Sequence, residues 1–159
     1  MIKPIVQKKE AFKVMGISVE TSNENEMTAQ AKIPSLWDRF YQEEIYKQIP
    51  ALNHTVYGVY SDYTTDVNDA YQMTIGLEVD KDTQANKWVT KTIPASQYLV
   101  FTSKKGPIAQ IVVELWQEIW NYCKENNIKR SYTGDFEVYD ERCADPGNAQ
   151  VEVYIAIQE

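Results

Sequence analysis

An offset of 79 residues lays one half of this chain over the other, mapping Leu36-Trp37 onto Leu115-Trp116, Tyr41 onto Trp120, Val59-Tyr60 onto Val138-Tyr139 and Ile75 onto Tyr154. An ordered series of matches at fixed spacing is the mark of an internal repeat, and a repeat dictates how the chain can fold. Alternating apolar residues predict strands over 12–19, 55–60 and 71–79 in the first half and over 97–101, 135–139 and 151–157 in the second. Apolar residues at three- and four-residue spacing predict helices over 34–41 and 108–126; the second carries Ile108, Ile111, Val112, Leu115, Ile119 and Tyr122 on one face, with Pro107 in its first turn. The first strands align at another offset, Phe12 with Tyr98 and Val14 with Val100, because the loop over 21–32 is longer than its counterpart over 103–107. One helix per half cannot cover that half's strands alone, so the halves must share a core. The expected fold is α+β: a tandem β-α-β-β duplication closing into a single antiparallel-sheet domain over 1–159. Pseudo-repeats at about 4–80 and 87–158 supply two main helices and a central ligand cleft.

Charge narrows the function. The 159 residues carry 23 Asp and Glu against 16 Lys and Arg, a formal −7, which opposes direct binding to a phosphate backbone. With one histidine, His54, read as a loop residue, and with Cys123 and Cys143 outside any C-x-x-C spacing, the usual His/Cys zinc set cannot form. Both cysteines are expected to be free thiols in a reducing cytosol. The acidic loops over 61–69 and 140–148 lack the alternating Asp/Asn pattern of a calcium-binding loop and read as solvated turns. No apolar run approaches bilayer length, and the first residues lack a signal-peptide core, so the expectation is a soluble cytoplasmic protein without metal or cofactor. No G-x-S-x-G elbow, phosphate-binding glycine loop or catalytic triad is present, and no catalytic residue is assigned.

The 11 Tyr, 4 Trp and 4 Phe supply ring faces, and ring faces beside a carboxylate attract cations. Strand alternation places Glu137 with Tyr139, and Glu152 with Tyr154. If the last two strands form a hairpin, these four are expected on one surface. The offset maps Gly58 onto Glu137, and a glycine inside a strand leaves room for a close approach. The candidate ligand-binding residues are Glu137, Tyr139, Glu152, Tyr154, Trp116, Trp120, Trp37, Tyr60, Tyr71 and Met73.

These residues also carry a resemblance. The paired halves, the 33–40 segment Ile-Pro-Ser-Leu-Trp-Asp-Arg-Phe, the 57–60 strand Tyr-Gly-Val-Tyr, the 115–120 segment Leu-Trp-Gln-Glu-Ile-Trp, and the closing segments over 135–140 and 151–155 resemble the GyrI-like effector-binding domain. The likeness is to its stand-alone branch, similar to integron-cassette effector-binding proteins and YdeE-like regulators, and extends over about 4–158. It implies a bacterial domain that senses small molecules, often amphipathic organic cations and often several drugs, and that elsewhere is joined to AraC- or MerR-type DNA-binding regions. It further implies that Glu137 meets the positive charge, with Glu152, Tyr154 and Trp116 nearby. A helix-turn-helix is not accommodated, so a protein partner would supply DNA contacts. Two alternatives are hydrolysis of an electrophilic, cyclopropane-type compound at a cleft glutamate, and modulation of a protein partner.

Overall fold

The structure, a computed structural model, describes residues 2–63, 70–84 and 87–158. Its strands are β1 (Ile2–Lys9), β2 (Phe12–Thr21), β3 (Ala51–Ser61), β4 (Tyr71–Val79), β5 (Val89–Ile93), β6 (Ser96–Thr102), β7 (Asp135–Tyr139) and β8 (Glu152–Ile157). The helices are α1 (Asn23–Glu26), α2 (Ile33–Gln42) and α3 (Ile108–Glu125), with short 3-10 turns at Ile45–Lys47 and Glu141–Cys143. All the strands join one antiparallel sheet in the order β1-β6-β8-β7-β3-β4-β2-β5. Among the described residues no helix is long and apolar enough to cross a membrane. Part of the first acidic loop, 64–69, lies outside the described residues.

The duplication is visible in that order. At its centre β3 pairs with β7 through Val56↔Tyr139, Gly58↔Glu137 and Tyr60↔Asp135, and the 79-residue offset maps this ladder onto itself. A pseudo-twofold axis therefore passes through the Gly58–Glu137 pair. Outward from it β4 matches β8, β2 matches β6, and β5 matches β1. The edge strands β1 and β5 are absent from the sequence expectation. Each starts its own half but pairs with the other half's second strand, β1 with β6 and β5 with β2. Both carry lysines, as sheet edges do to discourage further pairing, and the charge hides their alternation. His54 is likewise no loop residue: it lies, exposed, in the early part of β3, where the pairing with β4 is irregular.

Apolar residues are buried on both faces of the sheet. On one face α2 buries Leu36 and Phe40 against Met15, Ile17, Met73, Ile75 and Leu77. On the same face α3 buries Leu115 and Ile119, the repeat mates of those two residues, against Leu99, Phe101, Val153 and Ile155. Among the described residues no helix covers the other face, which curls onto itself. A flat sheet would hold β2 and β7 roughly 14 Å apart. The rings of Phe12 and Phe136 nevertheless meet at 5.2 Å. Only Pro94 and Ala95 link edge strand β5 to β6 near the opposite edge, which forces the same curl. Val14, Tyr57, Val59, Ile93, Tyr98, Val100, Val138 and Ala156 fill the enclosed face.

Candidate functional site

Strand alternation sends Glu137 and Tyr139 to the helix-covered face. There Glu137 is buried, with 2% exposure, and its carboxylate accepts three hydrogen bonds. The Tyr139 hydroxyl donates to Oε1 at 2.6 Å, the Tyr60 hydroxyl to Oε2 at 2.9 Å, and the Trp116 indole N–H to Oε2 at 2.7 Å. Tyr60 and Tyr139 are repeat mates, as are Trp37 and Trp116, so the pseudo-twofold axis brings matching donors to one carboxylate. Gly58 stands where the mate of Glu137 would be. A Cβ at Gly58 would lie 2.8 Å from Glu137 Oε1 and 2.9 Å from Met73 Cε, so the absent side chain makes the room the carboxylate occupies. The Gly58→Val variant is accordingly expected to lose about 1–3 kcal/mol of stability through overpacking, read as a lowered urea midpoint.

The three donors are neutral. Burial pushes the Glu137 carboxyl above its ordinary value, while the bonds from Tyr139, Trp116 and Tyr60 pull it back only in part. Burial and the adjacent carboxylate push both phenols well above theirs, which keeps them protonated donors. Among the described residues no cationic side chain forms an ion pair with Glu137. A buried anion with donors but no counter-charge is what a cationic ligand would complete.

Glu137 opens onto a cavity of about 390 Å³. Aromatic rings run along its wall in sequence: Trp120 against Trp116 at 6.2 Å, Trp116 against Tyr60 at 5.3 Å, Tyr60 against Tyr71 at 5.5 Å, Tyr71 against Tyr63 at 6.0 Å. Val112 and Val113 of α3 and Ile33 of α2 add apolar surface. The longer first-half loop supplies another wall with Asn23, Glu26 and Met27. Two interactions hold it in place. Glu26 accepts from the backbone N–H groups of Lys32 and Ile33 at 2.8 and 3.0 Å, capping α2, whose N-cap Lys32 offers no side-chain acceptor. The Tyr71 hydroxyl donates to Asn23 Oδ1 at 2.9 Å. Arg130 also lines the cavity, its Nη2 donating to buried Asp135 at 2.6 Å.

The structure thus brings together Glu137, Tyr139, Tyr60 and Trp116, with Tyr71 and Trp120 on the wall. Met73 lies beneath Gly58 rather than on the wall, and Trp37 packs behind Tyr139 at 5.0 Å, outside the cavity lining. Glu152 and Tyr154 do not join the group. The ladder pairs Phe136 with Tyr154, Glu137 with Val153 and Val138 with Glu152, so Glu152 and Tyr154 occupy the opposite face. The expectation failed by one residue. Between β4 and β8 the structural correspondence is 78, not 79: Ile75 matches Val153, because the second hairpin connection is one residue shorter. A one-residue slip moves every side chain to the other face. There Tyr154 stacks on Phe136 at 4.6 Å, and Glu152 pairs with Arg142 at 3.0 Å. Of the lining residues that the sequence did not suggest, Tyr63, Arg130 and those of the 22–33 segment come from connections without periodicity, and Val113 and Gln117 come from α3; only the excess length of the first-half loop hinted at its own residues.

Comparison with known proteins places the family and the fold. Residues 5–157 match the family described as integron-associated effector binding protein. The chain is 39% identical over 147 residues, 90% of each chain, to YobU of Bacillus subtilis (strain 168), which is named as a candidate transcriptional regulator. The crystal structure of an integron cassette protein from the mobile metagenome of Vibrio cholerae superposes with a TM-score of 0.80 at 29% identity, covering 99% of this chain and 97% of that one. SAV2435, solved bound to tetraphenylphosphonium, shares the fold with a TM-score of 0.80 at 19% identity, covering 99% and 94%. The chain belongs to the integron-associated effector-binding protein family, whose fold is that of the GyrI-like domains.

Proposed function

We propose that the chain binds amphipathic organic cations in the cavity beside Glu137 and reports their presence to a regulatory partner. The observation that carries this reading is a buried carboxylate, held by three neutral donors and, among the described residues, without an ion-pair partner, opening onto an aromatic cavity. The cavity's volume falls in the range that small-molecule sites occupy. Ring faces add roughly 0.5–2 kcal/mol each for a desolvated cation. Apolar and aromatic walls impose few directional demands, which favours tolerance of several ligands. SAV2435 was solved with such a cation, and YobU's name points to transcription. The −7 charge assigns any DNA contact to a partner rather than to this chain.

Tryptophan fluorescence is a direct probe, because Trp116 and Trp120 line the cavity. Tetraphenylphosphonium is expected to quench or shift their emission with saturation, and Glu137→Gln to weaken it about 10- to 100-fold, the value of a desolvated charge contact. Equal affinity in the variant would remove Glu137 from recognition. Mass spectrometry of the recovered ligand separates sensing from turnover, since a sensor returns its ligand unchanged.

A further inference from the structure

Helix α3 carries more apolar surface than the sheet takes up. Ile111, Leu115 and Ile119 form its buried stripe, while Val112, Val113, Trp116 and Trp120 follow on the adjoining flank, which lines the cavity together with Gln117. Exposure changes along the run of rings. Glu137 is 2% exposed and accepts from Trp116 at 2.7 Å; Trp120, beside Trp116 at 6.2 Å, is 45% exposed. In the other direction the lining closes, with Tyr71 at 3% and Arg130 at 8%. Val113 of α3, 58% exposed, and Met27 of the loop wall, 87% exposed, are the other large apolar members of the lining that solvent reaches. The remaining exposed large apolar side chains, Ile5, Val6, Tyr41, Leu52 and Val89, are spread over β1, α2, β3 and β5, and none of them lines the cavity. Such residues scattered singly are ordinary, whereas several around one opening mark an interaction site. The cavity therefore has a charged, buried floor at Glu137 and an apolar, exposed rim.

We infer that Met27, Val113 and Trp120 seat the aliphatic tail of a single-chain organic cation whose charged head meets Glu137. The inference rests on the cation reading of Glu137 and adds the shape and orientation of the ligand. Continuity names the occupant: Trp116 bonds the carboxylate on one side and meets Trp120 on the other, so a chain leaving the head along this wall passes from one indole to the next. From Val113 to Trp120 the helix rises roughly 10 Å, a seat for a chain rather than for a methyl group. A thioether opposite suits such a chain, because methionine adapts its shape to what it packs against. The tail contributes only through area removed from water, so cations with one head are ranked by tail length.

The test is isothermal titration of the full chain with hexyl-, octyl- and decyltrimethylammonium below their micelle concentrations, with tetraphenylphosphonium in parallel. Affinity is expected to rise about threefold per added methylene, close to the worth of a buried one. In the double variant Met27→Gln with Val113→Gln, whose positions are exposed and outside the core, the gain per methylene should fall below about twofold. A series that binds without regard to length overturns the tail seat and leaves the cation reading standing, as does a series that fails while tetraphenylphosphonium binds. A gain per methylene unchanged in the double variant places the tail elsewhere and also overturns the seat. So does an equal gain for alkyl sulfonates of the same lengths, because the tail would then bind without the head. A ligand-free chain that sediments as a dimer, and as a monomer in the double variant, would give the rim to a second copy instead. If neither the series nor tetraphenylphosphonium binds, the cation reading falls and the seat with it.

Discussion

Replacing Asp135 with alanine is expected to remove about 3–5 kcal/mol of stability. This is the largest effect we expect from a single substitution. Asp135 has no exposed surface, and both carboxylate oxygens are committed. Oδ2 accepts from Arg130 Nη2 at 2.6 Å and from the Tyr63 hydroxyl; Oδ1 accepts from the Ala156 backbone N–H at 2.8 Å, tying β7 to β8. Alanine would leave a guanidinium buried without its counter-charge, a phenol without its acceptor and a strand amide unpaired. A domain's entire stability is about 5–15 kcal/mol, so the loss should appear as a large fall in the urea midpoint followed by tryptophan emission. Removing both charges together is the informative control. Arg130→Met with Asp135→Leu should recover much of the loss, because an apolar pair of similar volume no longer leaves an ion stranded. A single-variant loss below about 1 kcal/mol, the value of an exposed pair, would show that solvent reaches this network.

That network was not legible in the sequence, and the reason is physical. Asp135 reads as a strand-end residue and Arg130 as part of a polar connection; only the folded sheet places them together. What was legible came from periodicity and from the repeat. Leu36 with Leu115, and Phe40 with Ile119, are buried on equivalent helix faces because a helix's apolar stripe and its repeat mate obey one geometry. Gly58 and Glu137 formed the strongest local inference: a missing side chain at one mate implied space for the other, and the ladder places them side by side. The expectation that the last hairpin would bring Glu152 to the same surface failed. Alternation within a strand is intrinsic, but register between strands depends on the connection, and the second hairpin is one residue shorter. Edge strands β1 and β5 escaped because lysines that protect an edge also erase its apolar alternation.

For a ligand of fixed charge, the affinity of the cavity should depend on pH through Glu137. Burial raises this carboxyl's pKa, and the donors from Tyr139, Trp116 and Tyr60 offset that only in part. Below the raised value the site is neutral and loses its attraction for a cation. Tetraphenylphosphonium does not titrate, so its affinity is expected to climb by up to tenfold per pH unit until Glu137 ionises and then to level off. In Glu137→Gln the same titration should be flat. The effect on the empty protein has the opposite sign. A group whose folded pKa is raised contributes stability that is present below its unfolded pKa and lost as pH rises through the folded one. Ionised Glu137 is therefore a cost in the empty cavity. The stability of Glu137→Gln relative to the unaltered protein should improve as pH rises from the ordinary glutamate range through the raised value, and stay constant beyond it. The two signs are connected by linkage: a cation that binds the ionised form releases a proton when it enters near that pH. Titration calorimetry in buffers of different ionisation enthalpy would read the release directly. An affinity that ignores pH, with no proton released, would mean that the cation does not meet Glu137.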